Sequence, residues 1–318
     1  MTKVYSFSEI MAVLPQVDVI GEIARGFQAY SDGRVTVPPV AELLFPEDHG
    51  ELHIKYGAIR GDDVFVIKVA TGFFNNPQVG LPPFGGCMLV LSQKTGAVES
   101  VLLEAGELTN HRTAAAGAVA AQYLAPSDTH CIGIVGSGVQ ARLQADYLRK
   151  VTDCRKLTLW ARSDGKAQEA ANDISAMGYD VSLSSDVGSL CAASNLIVTT
   201  TPSKQPLVTA DMISPGTHIT AMGADSPDKR ELSADLLAKA DLVVADSLSQ
   251  CLTQGEIHHA VAAGVLRETD IIELGHIIAD PSAGRTDDNQ ITIADLTGVA
   301  VQDIAVAKAV MAKLTARD

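Results

Sequence analysis

The most constraining feature of the sequence is a glycine-rich turn that directly follows a short apolar run. Residues 130–141 read His-Cys-Ile-Gly-Ile-Val-Gly-Ser-Gly-Val-Gln-Ala, a Gly-x-Gly-x-x-Ala pattern that continues with helical spacing. In such a turn Gly136 permits the tight bend, Gly138 lets the backbone approach a pyrophosphate, and Ala141 lets the helix pack closely on the strand. Free N–H groups at the helix N-terminus favour an anion. The pattern predicts a dinucleotide-binding turn, with an ordinary glycine turn of an α/β sheet as the alternative.

The pattern of apolar runs predicts the fold class. Strand-like runs alternate with helical segments at 131–135, 157–160, 195–200, 218–222 and 241–245. This alternation is typical of an α/β, doubly wound parallel sheet. Residues 52–104 differ, because their strand-like runs are separated by Gly, Pro and Asn clusters, which predicts an antiparallel or mixed sheet. Ala-rich segments predict helices over 112–124 and 303–316.

Composition excludes several classes of protein. With 318 residues and 47% hydrophobic content, the chain can bury a large core, and its length suggests about two domains. A net charge of −14 argues against nucleic-acid binding. The N-terminus lacks a basic region followed by an apolar stretch, and no apolar run approaches about 18 residues, so we expect a cytoplasmic protein without membrane attachment. The five cysteines are scattered, which predicts reduced thiols and no metal site.

The end of the second strand bears on the choice of cofactor. An NAD-binding domain is expected to carry Asp or Glu there, to accept hydrogen bonds from the adenosine ribose. The sequence instead reads Leu159-Trp160-Ala161-Arg162-Ser163. A guanidinium and a hydroxyl suit a 2′-phosphate, so NADPH is predicted to be preferred over NADH without excluding NADH. The alternative is that Arg162 is a surface cation.

Three charged residues stand out on otherwise apolar segments. Lys68 ends a predicted strand and Arg112 opens a predicted helix. A buried cation without a partner is costly to desolvate, so each predicts either a bound carboxylate or a salt bridge to Asp or Glu. Asp225 follows a predicted strand, where an aspartate either caps the next helix or has a chemical role.

Several motifs together resemble the ornithine cyclodeaminase/mu-crystallin family over essentially the whole chain. They are Val66-Ile67-Lys68-Val69, His111-Arg112-Thr113-Ala114-Ala115-Ala116, the glycine turn, Ala221-Met222-Gly223-Ala224-Asp225, Gly255-Glu256, Glu273-Leu274-Gly275, Asp295-Leu296-Thr297-Gly298 and Gln302-Asp303. The resemblance implies a Rossmann NAD(P)-binding domain over 123–298. It also implies an α+β substrate-binding and dimerisation domain over 1–122, completed by 299–318.

The resemblance also implies roles for particular residues. Lys68 and Arg112 would hold the substrate α-carboxylate, with Lys55 and Gly298 also at the substrate, and Asp225 would face the substrate nitrogen. Lys68, Arg112 and Asp225 are therefore the predicted catalytic residues. The predicted cofactor-binding residues are Thr113, Gly136, Ser137, Gly138, Val139, Gln140, Arg162, Ser163, Thr199, Thr200, Thr201, Met222, Gly223 and Thr297.

Two departures from the family pattern weaken a strict cyclodeaminase assignment. Some members carry an Arg where this chain reads Pro38-Pro39-Val40-Ala41, and a cyclodeaminase-like Glu is replaced within His53-Ile54-Lys55. We therefore expect an NAD(P)H-dependent reductase of a small imine or cyclic ketimine carboxylate, such as Δ1-pyrroline-2-carboxylate. The alternatives are a cyclodeaminase-type ammonia lyase using bound NAD, and a non-catalytic NADPH-dependent binding protein.

The N-terminal sheet predicts an oligomer. Its strands are apolar, and the sequence shows no obvious helices that would cover both faces of the sheet. An uncovered apolar face must be buried by something. We therefore expect a homodimer.

Overall fold

The chain divides into two compact units, one comprising Met1–Arg112 with Val299–Asp318 and the other Thr113–Gly298. The computed structural model describes residues 2–317. The division falls at 112/113, inside a helix, and not at the 122/123 boundary expected from the sequence. The Ala-rich composition of this helix gave no signal for where one unit ends.

Two sets of elements build these units. The strands are β1 (Lys3–Tyr5), β2 (Val35–Thr36), β3 (Ala41–Phe45), β4 (Gly50–Ile59), β5 (Val64–Phe73), β6 (Phe84–Ser92), β7 (Val98–Leu102), β8 (Ile132–Val135), β9 (Lys156–Trp160), β10 (Asp180–Leu183), β11 (Leu196–Thr199), β12 (His218–Ala221), β13 (Leu242–Ala245), β14 (Ile271–Glu273) and β15 (Thr292–Asp295). The helices are α1 (Phe7–Val13), α2 (Val19–Ser31), α3 (Glu107–Leu124), α4 (Val139–Leu148), α5 (Asp164–Ala176), α6 (Val187–Ala193), α7 (Ala234–Lys239), α8 (Leu248–Cys251), α9 (Gly255–Ala262), α10 (Leu274–Ala279) and α11 (Ala300–Thr315).

The first unit is a mixed sheet with helices packed on it. Its strand order is β1-β7-β6-β5-β4-β2, with β3 also paired to β4. All pairs are antiparallel except β1 with β7. The C-terminal helix α11 packs on β4 and β5, and α2 packs on α11. This arrangement agrees with the mixed sheet expected from the sequence.

The first unit contains two helices, α1 and α2, that were not predicted from the sequence. Helix α1 begins at a capping box formed by Ser6 and Glu9, and the Asp18 carboxylate caps α2 by accepting from the Gly21 N–H. Because successive strand residues alternate between faces, Val66 and Lys68 of β5 are buried on one face, while Ile67 between them stays partly exposed. One face of the sheet is therefore covered and the other remains partly open.

The second unit is a wholly parallel sheet with intervening helices. Its strand order is β10-β9-β8-β11-β12-β15-β13-β14. The doubly wound fold predicted from the sequence is confirmed. Strand β10 was not predicted because it is an edge strand of Asp-Val-Ser-Leu, exposed along most of its length, and so lacks an apolar run.

Further expectations concern residues across both units. The five cysteines are free thiols. Among residues 2–317, no helix combines the length and apolar character needed to cross a membrane. A group of three or more side chains suited to holding a metal ion is also absent from that part of the chain.

Candidate functional site

In the first unit, Lys68 and Arg112 meet at one buried carboxylate. Lys68 Nζ donates to Asp303 Oδ1 at 3.0 Å, and Arg112 Nε lies 3.2 Å from the same oxygen. Gln302 Oε1 accepts from Arg112 Nη1 at 2.6 Å. Lys68 lies in the middle of β5 and not at its end, and Arg112 lies inside α3, which begins at Glu107. The salt-bridge alternative raised from the sequence is therefore present in the structure.

This pairing does not satisfy the two cations. Lys68 is 3% exposed and Arg112 is 6% exposed. An ammonium group has three N–H donors, and within residues 2–317 only Asp303 accepts from Lys68. Arg112 Nε is buried and has no acceptor in hydrogen-bonding geometry. Buried donors of this kind are normally hydrogen-bonded, so these two fit an additional acceptor such as a ligand carboxylate.

The electrostatics of the cluster also favour an added anion. Burial lowers the pKa of Lys68 to about 7, and the Arg112 and Lys55 charges act in the same direction. Burial by itself would raise the pKa of Asp303, but Lys68 and Arg112 outweigh it and hold that pKa below its usual value. Lys55 of β4 stands directly opposite Lys68 in the sheet register. Like charges on opposite strands destabilise one another, so an anion placed among these cations would relieve the repulsion.

In the second unit, the backbone of the glycine turn is closely packed at Gly136 and open at Gly138. Gly136 has φ +130°, and a Cβ there would lie 2.3 Å from Thr200 Oγ1. Gly138 is the N-cap residue of α4 and provides no side-chain cap, and a Cβ on Gly138 would meet no atom within 4 Å. The first N–H groups of α4 are therefore not occupied by a capping side chain, which fits an anionic group. Arg142 donates to the carbonyls of Ser137 and Gly138, which fixes the turn.

Arg162 and Ser163 lie next to this turn at the same edge of the sheet. Val135 pairs with Trp160, and the Gly136 N–H donates to the Trp160 carbonyl at 2.8 Å. Arg162 is exposed, and in the described part of the chain it has neither a hydrogen bond nor an ion pair. Ser163 is the N-cap residue of α5, but its side chain makes no capping hydrogen bond. Both side chains are therefore free to meet a phosphate.

The remaining predicted cofactor residues follow the carboxyl ends of neighbouring strands or flank the turn. Thr199 is the last residue of β11 and is followed by Thr200 and Thr201, Met222 and Gly223 follow β12, and Thr297 follows β15. Ligands of open parallel sheets bind at this edge. Gln140 Oε1 accepts from Gln144, whose amide also donates to the Thr113 carbonyl, and Val139 is 55% exposed.

Buried carboxylates hold these strand ends, and the sequence analysis did not identify them. Asp246 accepts from the Gly298 N–H at 2.7 Å and from Thr297 Oγ1 at 3.0 Å. Glu231 accepts from the loops that follow β11 and β12. In the first unit, Asp303 was named only within a motif. Its distance of 235 positions from Lys68 explains why spacing could not assign it as the partner.

Asp225 differs from the other predicted catalytic residues in its surroundings. It follows β12 in an irregular segment and does not cap a helix. Its side chain is 57% exposed and pairs with Lys229 Nζ at 2.6 Å. An exposed carboxylate in this position is accessible to a bound molecule.

A known protein family matches the whole chain. The family model named "Ornithine cyclodeaminase/mu-crystallin family" matches residues 1–318. The chain belongs to this family. Membership confirms the resemblance inferred from the motifs.

Similar proteins extend over the full chain. A putative dehydrogenase of Rhizobium meliloti (strain 1021) is 41% identical over 319 residues, covering 99% of this chain and 97% of that protein. An archaeal alanine dehydrogenase dimer with bound NAD superposes with a TM-score of 0.90 at 32% identity, over 99% and 97% of the two chains. The Δ1-pyrroline-2-carboxylate reductase of Thermococcus litoralis, in complex with NADH and L-proline, gives a TM-score of 0.91 at 27% identity, over 99% and 98%. The chain is thus similar to nicotinamide-dependent enzymes.

Proposed function

We propose that this protein is an NAD(P)H-dependent reductase that acts on a C=N carbon next to a carboxylate, for example in a cyclic ketimine such as Δ1-pyrroline-2-carboxylate. The observation that carries the proposal is the pair of buried cations, Lys68 and Arg112. Within residues 2–317 each side chain makes one hydrogen bond, to Asp303 and to Gln302 respectively, and Arg112 Nε has no acceptor in hydrogen-bonding geometry. A planar substrate carboxylate supplies the missing acceptors. Similarity to enzymes that bind NAD or NADH supports the redox chemistry.

Each residue then has a defined task. Lys68 and Arg112 bind and orient the carboxylate, and their charges are neutralised by it. Asp225 stabilises the protonated imine nitrogen, which makes the adjacent carbon electrophilic, or supplies its proton. Gly136–Gly138 and the N-terminus of α4 would hold the cofactor pyrophosphate. A bound reduced nicotinamide would supply the hydride.

A substrate panel tests the proposal. The purified protein is assayed at 340 nm with NADPH and NADH against Δ1-pyrroline-2-carboxylate, other cyclic ketimines, and 2-keto acids with ammonia or methylamine. We expect oxidation of the cofactor with at least one ketimine. Release of ammonia and proline from ornithine with NAD, without ketimine reduction, would instead establish the lyase activity. Cofactor binding with no turnover of any substrate would establish a binding protein.

The dependence on pH reports directly on Lys68. Its pKa of about 7 means that the charged ammonium is lost as pH rises through 7. Since only the charged form attracts a carboxylate, KM for the substrate is expected to rise above about pH 7, by up to tenfold per pH unit. The Lys68→Arg variant keeps its charge over this range and is expected to show a flatter profile. Equal pH profiles for the two proteins would exclude Lys68 as the titrating group.

Arg162 and Ser163 are proposed to set a preference for NADPH. Arg162→Ala is expected to lower kcat/KM for NADPH by at least about tenfold, as for one lost charge-assisted contact, and to leave NADH unchanged. Arg267→Ala is the matched control, because Arg267 is also exposed but pairs with Asp270. Equal losses with both cofactors would contradict the preference.

The open face of the first unit is proposed to form a homodimer. Tyr56, Ile67, Leu89 and Val101 lie side by side on β4, β5, β6 and β7, and all four are at least partly exposed. A contiguous apolar row of this kind marks an interface. Light scattering is expected to give about twice the 33.3 kDa mass of one chain. Ile67→Glu is expected to shift the protein towards the monomer, and a wild-type monomer at micromolar concentration would reject the dimer.

A further inference from the structure

The Glu231 carboxylate has an unusual set of partners. Oε1 accepts from the Thr201 N–H at 2.6 Å and from Thr201 Oγ1 at 2.7 Å. Oε2 accepts from Thr199 Oγ1 at 2.7 Å and from the Gly223 N–H at 2.8 Å. A carboxylate has about four lone-pair sites, so all of them are occupied. Glu231 is 0% exposed, and within residues 2–317 it forms no salt bridge.

The four donors come from the carboxyl ends of two adjacent strands and from the loops that follow them. Thr199 is the last residue of β11 and pairs with Ala221 in the sheet register, Thr201 follows β11, and Gly223 follows β12. The approach is so close that a Cβ at Gly223 would lie 2.1 Å from the Thr201 carbonyl oxygen. Glu231 therefore links two segments that were each predicted to contact the cofactor.

The backbone of Glu231 is also held by hydrogen bonds. The N–H groups of Glu231 and Leu232 donate to the two carboxylate oxygens of Glu256 at 2.7 and 2.9 Å. The Glu231 carbonyl accepts from the N–H groups of Leu207 and Val208. With its backbone held on both sides, Glu231 can impose one position on the loops that it contacts.

The cost of this arrangement argues for a role beyond packing. Burial raises the pKa of Glu231 to about 7 and that of Glu256 to about 8. Burying a carboxylate without a cation is expensive, and replacing such groups by apolar residues is often neutral or stabilising. What the buried carboxylate of Glu231 provides in return is a fixed conformation of the two loops.

We propose that Glu231 is a positioning residue that holds 199–201 and Met222–Gly223 in the conformation that receives the nicotinamide cofactor. This inference rests on the proposed function. Its local part, that the carboxylate orders the two loops before any ligand binds, does not depend on which substrate is reduced.

The test uses Glu231→Gln in the full-length protein. The amide has nearly the same size, but its NH₂ group replaces one carboxylate oxygen and leaves the backbone N–H that faced this oxygen without an acceptor. Hydrogen exchange of the protein without cofactor is expected to show at least about tenfold less protection of the Thr201 or the Gly223 amide, whichever faces the NH₂ group. The KM for cofactor is expected to rise at least about tenfold, with less than about threefold change in the KM for substrate.

A matched control and a milder variant accompany it. Asp241 accepts from the Ile291 N–H at 2.7 Å just before β15, at the opposite edge of the same sheet. Asp241→Asn is expected to affect exchange at Ile291 and to leave cofactor KM unchanged. Thr201→Val removes one donor to Glu231 and is expected to raise cofactor KM by a smaller factor. Because Thr201 is itself a predicted cofactor-binding residue, reduced protection of the Gly223 amide in this variant is the deciding result if Glu231→Gln fails to fold.

The outcomes separate the two proposals. Two results would overturn the role of Glu231. One is unchanged hydrogen exchange at both Thr201 and Gly223 in the Glu231→Gln variant. The other is an unchanged cofactor KM together with unchanged exchange at Gly223 in the Thr201→Val variant. A wild-type protein that binds neither NADPH nor NADH would instead overturn the proposed function, and the exchange result would still decide whether Glu231 orders the loops.

Discussion

Replacing Asp303 by asparagine is expected to lower the free energy of unfolding by about 3–5 kcal/mol. Asp303 is 1% exposed and is the shared carboxylate of Lys68 and Arg112, which are also buried. Breaking a buried ion pair by removing one partner leaves an uncompensated charge in a medium that solvates it poorly. Here one substitution leaves two cations without their anion.

Urea denaturation measures this loss as a shift in midpoint at constant slope. Asp63→Asn is the control, because Asp63 pairs with Lys94 while both side chains are about four-fifths exposed (83% and 78%). Exposed pairs contribute little, so Asp63→Asn is expected to cost far less. The double variant Asp303→Asn, Lys68→Met removes one buried charge and is expected to recover part of the stability. An effect of Asp303→Asn no larger than that of Asp63→Asn would show that the cluster does not depend on Asp303.

The sequence predicted those parts of the fold that rest on local patterns. The apolar run that ends at Val135 and the glycines that follow it predict a strand, a turn and a helix. Each of these elements can be predicted because it depends only on residues close together in the sequence. Strands with polar or exposed residues gave no such signal, as in β10. Helices α1 and α2 have Ser6 and Asp18 as their N-cap residues, both of types typical of that position, but a capping residue alone does not predict a whole helix.

The site was less predictable, since it depends on long-range contacts. Lys68 and Arg112 could be identified as cations in need of a partner, but Asp303 reaches them only through the packing of α11 on the sheet. The role of Glu231 could not be predicted for the same reason. Its carboxylate accepts hydrogen bonds from both segments only because the fold places the ends of β11 and β12 side by side. Residues proposed to contact a ligand could be assigned from local motifs, whereas the partners that hold them are identified only when the fold brings them together.

The largest effect on catalysis is expected from Asp225→Asn. The proposed contact of Asp225 is with the nitrogen at the reacting centre, where charge changes during the reaction. A general acid or a charged group in this position contributes about 10²–10⁴-fold, so kcat is expected to fall by that factor while KM changes little. Asp228→Asn is the control, because Asp228 lies three residues further on, is similarly exposed and pairs with Lys204.

The Arg112→Met variant provides a contrast that identifies the role of Asp225. Arg112→Met loses the proposed contact with the substrate carboxylate, which keeps its charge throughout the reaction. KM is therefore expected to rise by about 10–150-fold, with a smaller change in kcat. Steady-state kinetics of both variants with the ketimine and NADPH measure the difference. If Asp225→Asn raised KM and left kcat unchanged, Asp225 would bind the substrate without acting on its nitrogen, and the proton would have to come from another group.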